Sequence, residues 1–110
     1  MAIYTKDEYF KKNIDELLTY GYELLSKIYK DEWNDIDLII NIDKCFEHLI
    51  TVAKQYDKQR PDKALELFFK TFRETFLIGI EKKYTDFIND IFDSLRKIKS
   101  YILEKPYTLE

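Results

Sequence analysis

The sequence predicts an all-α protein: a compact helical bundle of four helices, or of three with a long C-terminal helix. Three observations carry this expectation. First, Phe10, Ile14, Leu17, Gly21, Leu24 and Ile28, and again Ile39, Ile42, Phe46, Leu49, Ala53 and Tyr56, alternate steps of three and four. That spacing lines one face of a helix and favours the shallow, left-handed crossing of coiled-coil-like packing. Second, two glycines and two prolines in 110 residues leave few sites for the tight turns of an all-β domain. Third, 45% apolar and 35% charged residues suit a chain that folds around a core without spanning a bilayer. A chain of this length is expected to form one helical-bundle domain over residues 1–110.

The first helix is expected over residues 5–30, with Thr5 and Glu8 spaced as a capping box. Gly21 falls on its seam, where the helix-propensity cost of about 1 kcal/mol makes sense if a neighbouring helix approaches closely. Asp31-Glu32-Trp33-Asn34 breaks the period, Trp33 is placed as a plug at one end of the bundle, and Asn34 with Asp37 resembles the next N-cap. The second helix is expected over 35–59, ended by Arg60-Pro61-Asp62, since proline disfavours helix in the residue before it and suits the first turn after it.

Beyond Pro61, Leu65, Phe69, Phe72, Phe76, Ile80, Tyr84, Phe87, Ile91, Leu95, Ile98 and Ile102 continue in steps of three and four. Their mean step of about 3.7 makes the stripe drift around a straight axis, so it cannot keep facing one partner. We therefore expect a bend or break between Gly79 and Thr85, giving helices over 62–83 and 85–104; one unbroken helix is the alternative. Pro106 ends the last helix, and Leu109-Glu110 carries no functional argument because such a dipeptide often precedes a purification tag.

Composition narrows the function. No apolar run approaches the roughly 20 residues of a membrane span, and Met1 to Lys12 carries charges where a signal peptide is apolar, so a cytoplasmic protein is expected. The single Cys45 has no internal disulfide partner and sits at the edge of the second seam, as a structural thiol does. A net charge of −3 gives no general attraction to nucleic acid or anionic lipid. With one histidine, one cysteine and no glycine-rich phosphate loop, the usual zinc, nucleotide and Ser-His-Asp arrangements lack their parts, so no enzyme and no cofactor are expected. Cys45, Glu47 and His48 lie close on one helix without an orienting group or anion site, which makes an incomplete catalytic set. Asp86, Asp90 and Asp93 share one side of a helix with Lys82, Lys83 and Lys97 around them, so a mixed-charge solvated face is expected there rather than a metal site.

Nine tyrosines, eight phenylalanines and one tryptophan are the less usual feature. Tyr9 and Tyr20 flank one edge of the first seam, Tyr4, Tyr22 and Tyr29 the other, and Phe68, Phe69, Phe72 and Phe76 cover a wide arc of the third segment. These arcs exceed what one neighbouring helix covers. Tyr4, Tyr20, Tyr22, Tyr29, Phe68, Phe69, Phe72 and Phe76 are therefore the candidates for a protein–protein interface, and the expected protein is a small regulatory or adaptor module that forms a homo-oligomer, with a dimer first. Its protein partner is not specified by the sequence. The alternative is a helical subunit of a nucleic-acid-processing complex, holding phosphates through Lys54, Lys58, Arg60, Lys63, Lys70 and Arg73 with Tyr56 stacking on a base, although Asp57, Asp62, Glu66 and Glu74 are interleaved.

Overall fold

Four helices, α1 (Lys6–Ile28), α2 (Ile36–Gln59), α3 (Leu65–Lys82) and α4 (Thr85–Lys99), build the fold. They come from a computed structural model in which residues 6–59 and 64–99 are described. Thr5, Tyr4, Arg60, Pro61, Asp62, Lys63, Ile102, Pro106 and Leu109-Glu110 lie outside those residues, and with them the expected first cap and the proline boundary. The described residues contain no strand, so the all-α bundle of four helices is the observed architecture.

Each helix packs on the next, and α4 closes the ring on α1. Contacts between opposite ends fix the directions: Phe10 meets Tyr56, Arg73 meets Asp43, Gly79 lies under Ile88, and Lys99 reaches Asp15. The helices therefore run up, down, up and down, as short connections require.

The first seam is the core of the molecule. Phe10, Ile14, Leu17 and Leu24 are fully enclosed and Ile28 nearly so, opposite Ile42, Phe46, Leu49 and Ala53 of α2. Ile39 and Tyr56, at the ends of the α2 stripe, are half-buried against it. Each fully buried large side chain contributes about 1.5–3 kcal/mol of apolar transfer. Five phenylalanines, Phe10, Phe46, Phe69, Phe76 and Phe92, are fully buried, and their rings meet tilted or edge-on: Phe10 with Phe69, Phe46 with Phe76, Phe76 with Phe92. These are the favoured aromatic arrangements. Trp33 is buried in the same core from the α1–α2 connection.

The breaks between helices use an economical device. Asp31 and Lys83 both take the left-handed backbone conformation that glycine usually supplies. After α1, Asp31 N–H donates to Ile28 O and Glu32 N–H to Lys27 O; after α3, Lys83 N–H donates to Ile80 O and Tyr84 N–H to Gly79 O. Both are Schellman motifs, which satisfy the last carbonyls of a helix and stop it. The second separates α3 from α4, as the drift of the stripe required. It also changes which residues open the stripe of α4: Tyr84 and Phe87, which the unbroken count put on the seam, are exposed and Ile88 and Phe92 are fully buried, while Ile91 and Leu95 are buried as that count expects.

With turns made by Asp31 and Lys83, the two glycines are free for packing. A Cβ on Gly21 would run into the Phe92 ring, and one on Gly79 would lie 2.8 Å from Ile88 Cδ1. Gly21 thus plays the expected role of close approach. Gly79 does too, inside α3 rather than as the weak point of the chain. Through these two contacts α4 seats on α1 and α3.

Helix starts are fixed by carboxylates. Asp35, one residue beyond the expected Asn34, caps α2 by accepting from Leu38 N–H at 3.1 Å, and its other oxygen pairs with Lys27 at 3.2 Å. The Leu38 amide and Lys27 together hold the Asp35 carboxyl below the usual aspartate range. At α3, Asp57 of α2 accepts from Leu65 N–H at 2.8 Å and Glu66 N–H at 2.9 Å, bridging the connection with one carboxylate on two free amides.

Candidate interaction surface

α3 holds one group of the apolar residues that the bundle leaves uncovered. Leu65, Phe69 and Phe76 point inward and are buried. At 100° per residue, Leu67, Thr71, Glu74 and Ile78 fall on the opposite side, within about 60° of arc. All four are exposed. This outermost ridge of a solvent-facing helix is where charge is expected, yet Leu67 keeps 65% and Ile78 44% of its surface open. Phe68 at 48% and Leu77 at 42% flank the ridge on its two sides. Phe68 stacks on half-buried Phe72 at 6.5 Å, which in turn meets the core through Phe69 at 6.4 Å, so the exposed ring is braced from beneath.

A second group of exposed apolar side chains gathers at the end of the bundle where α1 and α3 stop and α2 and α4 start: Tyr29, Ile36, Ile40, Tyr84 and Phe87. Tyr84 and Phe87 meet edge-on at 5.0 Å, and the Tyr29 hydroxyl hydrogen-bonds Asn89 Oδ1 at 3.1 Å. Tyr22 borders a cleft of about 240 Å³ between α1 and α4, where Leu25 and Phe92 form the floor and Asn89, Asp90 and the Asp93–Arg96 pair the rim.

The interface candidates therefore divide. Phe68, Tyr22 and Tyr29 are exposed; Tyr20 and Phe72 are half-buried against the core. Phe69 and Phe76 are not available to a partner, because the wide arc they extend is covered by α1, α2 and α4 of their own chain. Tyr4 lies outside the described residues. Leu67, Leu77 and Ile78 are aliphatic, so the aromatic arcs of the sequence do not include them. Their signal was present all the same: Leu67 and Ile78 lie off the buried stripe and eleven residues apart, which is three helical turns on one face.

Three of the basic candidates, Lys54, Lys70 and Arg73, are engaged within the chain. Arg73 binds Asp43 with two hydrogen bonds, at 2.7 Å and 3.0 Å, and that contact raises the Arg73 pKa further. Lys54 and Lys70 share Glu66, at 3.8 Å and 3.0 Å. Tyr56 packs against Phe10 at 5.1 Å, and Asp57 already occupies the amides of the α3 N-terminus that could have held a phosphate. Lys58 is exposed; Arg60 and Lys63 lie outside the described residues.

Groups with chemical potential are likewise committed to structure. Burial pushes the Cys45 thiol up to about 11, helped by the charge of Glu16, so it is protonated and unreactive at neutral pH. His48 Nδ1 lies 3.2 Å from Oδ1 of buried Asn13, whose amide donates to Tyr9 O at 2.9 Å. This satisfies a polar group in the core. Asp93 pairs with Arg96 and Lys97, and among the described residues no three His, Cys, Asp or Glu converge as metal ligands. None of the described helices is long and apolar enough to cross a membrane. Comparison with protein-family models, curated proteins and solved structures finds no match to this chain.

Proposed function

We propose that this is a small, non-enzymatic regulatory or adaptor protein of the cytoplasm, working through protein–protein contacts of an exposed apolar and aromatic helical surface and forming homo-oligomers. The outermost ridge of α3 carries the proposal. Leu67, Phe68, Leu77 and Ile78 lie outside the buried core, and an apolar ridge in water has a cost in solubility that a partner's surface would remove. Phe68 on its Phe72 brace offers a rigid aromatic anchor of the kind that dominates interface energetics.

The test is photo-crosslinking in cells that express the protein, with benzoylphenylalanine placed at Phe68 or Leu67 and, as control, at exposed Gln55 on α2. Protein adducts from positions 68 and 67, absent from 55, are the expected result. Adducts to nucleic acid instead, or none from any position, would overturn the reading. The intrachain pairing of Lys54, Lys70 and Arg73 counts against the phosphate-binding alternative.

A further inference from the structure

The residue pattern on the α3 ridge is self-complementary. We infer that the partner of this surface is a second copy of the chain, docked by antiparallel, two-fold pairing of α3 with α3 about a point between Phe72 and Arg73. The inference rests on the interaction-surface reading above and adds its occupant and register.

In an isologous contact the same patch must fit itself after a two-fold rotation. Such a rotation about residue 72.5 carries each position i onto 145 minus i. Leu67 then lies opposite the partner's Ile78, and Ile78 opposite the partner's Leu67, at both ends of a contact about three turns long. Between them Thr71 lies opposite the partner's Glu74. Side chains on one flank of the ridge meet those on the same flank of the partner. Leu77 therefore lies beside the partner's Leu67, and Phe68 beside the partner's Thr75 and Ile78.

Charge supports the same register. Lys70 and Glu74 lie on one flank, and the rotation brings Lys70 within about 1.5 Å, measured along the axis, of the level of the partner's Glu74. The centre of the contact is a ring of two lysines and two glutamates with no net charge. Within the described chain Glu74 takes part in no ion pair, whereas Lys70 already leans on Glu66 at 3.0 Å. A parallel pairing would instead stack Lys70 on Lys70 and Glu74 on Glu74, which like-charge repulsion opposes.

Sedimentation equilibrium on the full chain tests this, with circular dichroism melting as the check on folding. Wild type should be a dimer, and L67E/I78E a monomer with wild-type helix content that still melts cooperatively, at a temperature lowered only by the lost self-association. K70E and E74K should each weaken the dimer roughly tenfold, since each places two like-charge contacts across the axis. K70E/E74K should recover wild-type affinity to within about threefold, which a merely structural role for these residues would not produce. A wild-type monomer at every concentration, a dimer untouched by L67E/I78E, or a double variant no tighter than the singles would each overturn the pairing. Photo-crosslinks from position 68 to other proteins alone would also overturn it, while leaving the interaction-surface reading intact.

Discussion

Adjacent helices α3 and α4 solve the same packing problem in opposite ways. α4 is two-sided apart from Phe87 in its first turn: Ile88, Ile91, Phe92 and Leu95 are buried, while Asp86, Asp90, Asp93, Arg96 and Lys97 face water. α3 buries Leu65, Phe69, Phe76 and Gly79, yet leaves Leu67, Phe68, Leu77 and Ile78 open. Burial in the bundle therefore explains every large apolar residue of α4 but Phe87, and only about half of those of α3. An apolar residue that the fold does not use requires another reason, and a contact with another surface supplies one.

Core substitutions should hurt both helices alike. Phe92→Ala and Phe69→Ala each remove a fully buried ring and should cost about 3–5 kcal/mol in chemical unfolding. A much smaller loss in either would mean that its ring is not part of the shared core. The glycine seats separate α4's two contacts. Gly21→Ala forces a methyl into the Phe92 ring and should cost about 1–3 kcal/mol, whereas Gly79→Ala meets the end of buried Ile88 at 2.8 Å and Phe87 Cβ at 3.2 Å and should cost about 1 kcal/mol once the gain in helix propensity is counted.

How each helix starts and stops provides the next contrast. Asp57→Ala frees two amides of α3 and should cost about 1–2 kcal/mol, lowering hydrogen-exchange protection in the first turn of α3 before that of α4. The smallest effect on stability belongs to the ridge. Leu67→Ser and Ile78→Ser should each change the monomer's unfolding free energy by under about 0.5 kcal/mol while weakening self-association. A loss of several kcal/mol would make these residues structural and erase the distinction between the two helices.

What the sequence disclosed follows the same division. Period alone marked Phe10 to Ile28, Ile42 to Ala53 and the break near Gly79, because those positions answer to a single constraint, burial. The start of α4 escaped it: no glycine announces the left-handed turn at Lys83, after which Tyr84 and Phe87 are exposed and Ile88 and Phe92 are buried, although Ile91 and Leu95 keep their counted places in the core. The capping role of Asp57 also escaped, because it joins residues eight and nine apart across a connection. At the surface, counting aromatics found Phe68 but also drew in Phe69 and Phe76, which face the core. A wheel of the exposed side would have separated them, but only after the inward direction of α3 was known.

Size-exclusion chromatography with light scattering over a range of concentrations, at low and high salt and with absorbance at 260 and 280 nm, tests the central claim most directly. The account predicts a mass of twice 13.4 kDa that persists at high salt and carries no excess absorbance at 260 nm. A mass of one chain throughout, or bound material absorbing at 260 nm that salt removes, would contradict it.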